Sequence, residues 1–66
     1  MNITLNGKKE KLGAEISVQK LLSLKKITPA GTAVLLNGEI IKKEFRAKTM
    51  LKNGDKVEII TFVGGG

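Results

Sequence analysis

A chain of 66 residues makes one small domain, which buries only about 60% of its unfolded surface and draws no more than about 3–5 kcal/mol net from its core. It contains neither cysteine nor histidine, so disulfides, zinc sites and the usual nucleophile–base pairs lack their main residue types, and neither a catalytic side chain nor a metal site is expected. The formal net charge of +6 favours acidic partners. No apolar run approaches the ~18–20 residues of a membrane span, and the N-terminus lacks the layout of a signal peptide; the expectation is a soluble, cytoplasmic protein.

In chain order, Met1, Ile3 and Leu5 alternate with Asn2, Thr4 and Asn6, the period of a half-buried strand. Asn6-Gly7 is a hairpin signal, because both residues tolerate the positive φ of a type I′ turn. Lys8 to Leu12 returns as a polar strand with Leu12 inward, and its lysines suit a protected edge. After a loop at Gly13–Glu15, Ser17 is a good N-cap. Ile16 and Leu21 have the spacing of a hydrophobic staple. Val18, Leu21 and Leu22 share one face of a helix expected from Val18 to Lys25, which Pro29 prevents from continuing. So short a helix must lie on a sheet.

Ala33–Leu36 reads as a wholly apolar strand, Asn37-Gly38 as a second hairpin turn and Glu39–Ile41 as its short return. Lys42–Lys48 has no clean period. It is expected to be irregular, with a single helical turn and Phe45 as an anchor to the core. A turn at Lys52–Asp55 leads into the longest strand, Lys56–Val63. Strands grouped around one helix argue for an α+β fold with a single sheet. On the last strand, Val57 and Ile59 are expected to pack beneath the helix with Ile3, Leu5, Leu21 and Leu22. Ile60 and Phe62 then lie on the opposite, open face, where an apolar cluster marks a docking site. The alternative is that twist or a bulge buries Phe62.

That strand ends in Gly64-Gly65-Gly66. Three glycines extend no sheet stably. Extended, they reach roughly 10 Å and fit a passage too narrow for any Cβ, with the α-carboxylate of Gly66 at the tip. The bland alternative is a frayed terminus or a cloning scar. The expected division is a folded body over 1–63 and a flexible tail over 64–66.

Asn37-Gly38-Glu39-Ile40-Ile41, the run Leu51–Ile59 with its Gly-Asp-x-Val-Glu-Ile core, and Phe62-Val63-Gly64-Gly65-Gly66 resemble ThiS, the ubiquitin-like sulfur carrier family of thiamine biosynthesis. The resemblance covers essentially the whole chain. It implies a ubiquitin-like β-grasp, with a mixed sheet of roughly four to five strands, its first and last strands parallel at the centre and the helix on one face. It also places Phe45 where relatives often carry tryptophan. The implied protein is a monomer and not an enzyme.

The chemistry implied by the resemblance is carried by Gly66. Its α-carboxyl, with a pKa of ~3.3–3.7, is ionised at neutral pH and a poor electrophile. A ThiF-like adenylating enzyme, using ATP and Mg²⁺, joins it to AMP. Sulfur from a persulfide protein displaces the AMP and leaves a thiocarboxylate, whose sulfur passes to thiazole synthase. Gly64 and Gly65 thread the tail into the partner, and Ile60 and Phe62 dock the body. No cofactor is bound by the chain itself. The alternatives are a molybdopterin-synthase-type sulfur carrier, which shares the diglycine end, and a ubiquitin-like modifier with an amine acceptor. The basic charge also admits a nucleic-acid-binding module. Against it, the lysines are scattered, and two phenylalanines without Tyr or Trp give little to stack bases on.

Overall fold

Two Asn-Gly steps set the edges of the sheet. Asn6 and Gly7 adopt φ values of 49° and 82°, and Asn37 and Gly38 values of 52° and 87°, the left-handed pair that closes a tight hairpin. The first turn joins β1 (Asn2–Leu5) to β2 (Lys8–Lys11), and the second joins β3 (Thr32–Leu36) to β4 (Glu39–Ile40). β5 (Lys56–Thr61) enters between the two hairpins. This computed structural model describes residues 1–62; the strand end expected at Val63 and the tail expected at Gly64–Gly66 lie outside them.

The strand order is β2-β1-β5-β3-β4. β5 runs parallel to β1, with Thr4 opposite Lys56 and Leu5 opposite Val57. It runs antiparallel to β3, from Leu36 opposite Val57 to Thr32 opposite Thr61. The first and last strands are therefore neighbours, parallel and central, which is the β-grasp arrangement expected. The lysine-bearing β2 is an edge, as its composition requires.

The helix α1 (Val18–Leu24) covers one face. Ser17 caps it, its Oγ accepting from the Lys20 N–H at 3.0 Å. The Val18 and Gln19 amides donate to the carbonyls of Thr49 and Arg46, so the first orphan donors of the helix are satisfied by the segment that crosses from β4 to β5. At the other end, Lys26 takes φ 57°. Its N–H donates to Ser23 O and that of Ile27 to Leu22 O, the paired bonds of a Schellman stop. The helix thus ends at Leu24 with Lys25 as C-cap, one residue short of the expected boundary. Val18, Leu21 and Leu22 are buried against Ile3, Leu12, Val34, Leu51, Val57 and Ile59, with Leu5 partly buried beside them.

The crossing segment differs from expectation in its anchor. A single 3₁₀ turn forms over Lys43–Phe45, but Phe45 is 50% exposed. Arg46 and Leu51 are the buried side chains of this stretch. The Arg46 carbonyl accepts the Gln19 N–H. That bond holds the segment against the start of α1 at Arg46, whose side chain is buried, while Phe45 beside it is half exposed.

Candidate functional site

The sheet has one covered face and one bare one. Register assigns its residues. On β5, Val57 and Ile59 pair with Leu36 and Val34 on the helix side. Glu58 and Ile60 pair with Leu35 and Ala33 on the other, because directly paired residues project from the same face. The β4 hairpin adds Ile40 opposite Leu35. On the far side of β5, Thr4 and Lys56 share the open face through their pairing, and Lys9 joins them opposite Thr4.

Both predicted docking residues stand on this face. Ile60 is 47% exposed and Phe62 62% exposed, so no bulge or twist buries the phenylalanine. Phe62 lies one residue past the end of β5, and its backbone N–H donates to Gly31 O at 2.8 Å. The sequence reading missed Ile40, 69% exposed. Its signal was present, since a two-residue Asn-Gly turn fixes the register that puts Ile40 opposite Leu35. Together Ile40, Leu35, Ala33, Ile60 and Phe62 make an apolar strip across three strands. Grouped exposed apolar side chains of this kind mark interaction surfaces.

The border of the strip is basic. Lys56 lies 3.9 Å from Glu58, both side chains well exposed. Such a pair is screened and holds little energy, so Lys56 remains available to an acidic partner. Lys9 and Lys11, opposite Thr4 and Asn2, stand on the same face as Lys56, and other lysines lie elsewhere. Lys8 lies with Leu5 on the helix side of β2, Lys20 is on α1, and Lys25 Nζ is taken up by Glu10 Oε1 at 2.6 Å. The lysines are thus divided between the two faces of the sheet and the helix.

Gly64, Gly65 and Gly66 lie outside the described residues. Among the described residues, no three side chains of metal-binding type come together. No described helix is long and apolar enough to cross a membrane.

A family model, that of the ThiS family, matches residues 2–66. A crystal structure of the thiamine biosynthesis protein ThiS from Geobacter metallireducens is 43% identical and superposes with a TM-score of 0.87, covering 100% of both chains. A solution structure of a thiamine biosynthesis protein from the same organism is 39% identical, with a TM-score of 0.84, over 100% of this chain and 88% of that one. The uncharacterized protein ycf40 of Pyropia yezoensis is 35% identical over 66 residues, 93% of its own length. The thiazole synthase of Paramagnetospirillum magneticum is also 35% identical over 66 residues, but the chain spans only 20% of that protein.

Proposed function

The chain belongs to the ThiS family, and on that premise we propose that it is the sulfur carrier of thiamine biosynthesis, with Gly66 as the atom-bearing end. The observation that carries the reading is a family match that runs through residue 66, terminal glycines included. The exposed strip containing Ile60 and Phe62 supports it, since a carrier must be held while its arm reacts. In this role the body performs no catalysis; it docks and presents the arm.

The steps are these. A Gly66 carboxylate oxygen attacks the α-phosphorus of ATP on a ThiF-like partner, with Mg²⁺ on the phosphates, and pyrophosphate leaves. The acyl-adenylate is an activated electrophile. The terminal sulfur of a persulfide protein attacks its carbonyl carbon and AMP leaves, giving an acyl disulfide. A thiol cleaves that disulfide and releases the Gly66 thiocarboxylate. Thiazole synthase then takes the sulfur. A protein named thiazole synthase that contains a segment 35% identical to this chain supports that choice of acceptor. Gly64 and Gly65 supply a stretch without Cβ atoms, which a narrow passage in the partner requires.

The test is ATP–pyrophosphate exchange with a matching adenylating enzyme. Deleting Gly65 and Gly66 should abolish exchange and leave circular dichroism unchanged, because the described helix and strands lie within residues 2–61. One alanine added after Gly66 should also block it. Exchange by the deletion variant at the wild-type rate would overturn the carrier reading.

A further inference from the structure

Arg46, the only arginine of the chain, is 6% exposed. Its Nη2 donates to the Thr32 carbonyl at 2.6 Å and its Nη1 to the Pro29 carbonyl at 3.3 Å. Its Nε is buried with no hydrogen-bond partner. The ion pairs among the described residues are Lys25–Glu10 and Lys56–Glu58; neither involves Arg46. Carbonyl dipoles are what this guanidinium faces. Burying a charge without a carboxylate costs stability that an apolar side chain of similar volume would not. Core filling alone therefore does not account for an arginine here.

What the fork holds does account for it. Pro29 to Gly31 is the turn before β3, and with Thr32 at the head of that strand it receives the end of β5. Gly31 O accepts the Phe62 N–H at 2.8 Å, and Thr32 pairs with Thr61. Thr32 Oγ1 donates back to Thr28 O at 2.7 Å, closing the loop on itself. Arg46 is fixed in turn, because its carbonyl accepts the Gln19 N–H at 3.1 Å. Direct contacts thus run from the first turn of α1, through Arg46, to the loop and to the amide of Phe62.

We propose that Arg46 is a positioning residue that fixes the backbone of Phe62, the last described residue before the terminal glycines, by clamping Pro29 and Thr32 on either side of the turn whose Gly31 carbonyl holds the Phe62 amide. The proposal rests on the carrier reading, in which the arm beyond Phe62 must find a partner's reactive site. An arm with a fixed root searches a smaller volume, which raises the effective concentration of its end at that site. The effect belongs to turnover of the docked complex and not to docking, because Ile60, Ile40 and the Phe62 side chain stay on the open face.

The experiment compares wild type with Arg46→Met and Arg46→Lys. Amide exchange is read at Phe62 against Val57, and steady-state adenylation is measured with the matching enzyme. In Arg46→Met, Phe62 should exchange about tenfold faster or more, the change that losing charge-assisted hydrogen bonds implies, and Val57 much less so. Its kcat should fall several-fold with KM held within about twofold, the pattern of lost positioning and intact binding. Arg46→Lys should fall between, since one ammonium cannot fork to both carbonyls; if the methionine variant does not fold, the lysine variant decides. Unchanged Phe62 exchange in the folded variants, or a rise in KM alone, would overturn the proposal. Wild type that is not adenylated at all would overturn the carrier reading, while Phe62 exchange would still decide the clamp.

Discussion

Asn6 turns the chain and also holds β5. Its backbone takes φ 49°, and its Oδ1 accepts the Ile59 N–H at 2.8 Å. Asn37 repeats the arrangement, its Oδ1 accepting the Lys56 N–H at 2.9 Å. The turn role is legible in an Asn-Gly pair. The second role is not, because the partner amide of Asn6 lies 53 residues away and only the folded sheet brings it near. The two roles make glycine substitution informative. Asn6→Gly should destabilise by about 1 kcal/mol, because a partly buried amide loses its acceptor although the turn itself gains freedom. Lys26→Gly should do the reverse and stabilise by about 0.5–1 kcal/mol, since the left-handed position after α1 is strained for any residue with a Cβ. Urea unfolding of the two variants would check the opposite signs.

Among the elements, strands and helix follow their patterns closely, while the crossing from β4 to β5 does not. Strict alternation put Val57 and Ile59 on one face of β5 and Ile60 on the other, and the burial agrees. Lys42–Lys48 has no period, so composition alone singled out its aromatic residue. Backbone bonds to the start of α1 hold this crossing, and these are not written in local sequence. The consequence is measurable. Phe45→Ala should cost less than about 1 kcal/mol, as exposed positions do. Leu51→Ala, at a fully buried site, should cost about 2–5 kcal/mol, enough to unfold most of a domain with about 3–5 kcal/mol in hand. Thermal unfolding followed by circular dichroism separates the two. On the open face, Phe62→Ala removes an exposed ring but leaves the backbone bond to Gly31. Its KM for the adenylating enzyme should rise about 5- to 30-fold, the equivalent of ~1–2 kcal/mol for a lost anchor. The kcat should hold, so saturating enzyme restores the rate.

For the whole molecule, the division of labour follows from a sheet with one covered face. The helix and the nine buried apolar side chains among the described residues, on and around it, stabilise the body. The other face keeps an apolar strip with lysines at its border, and β5 is held by a neighbour on each side. Family and fold were legible because the turns, the β5 alternation and the glycine end occur in one order. The exposed face was legible only in part, since Ile40 enters it through hairpin register and not through its own neighbours in sequence. The central claim is that Gly66 carries sulfur. Intact-mass measurement of the chain after incubation with the matching adenylating enzyme, ATP, Mg²⁺, a persulfide donor and a thiol tests it directly. The expected result is a gain equal to sulfur minus oxygen, confined to the C-terminal peptide and absent without ATP. An unchanged mass, with an adenylating enzyme shown to be active on its own carrier, would contradict it.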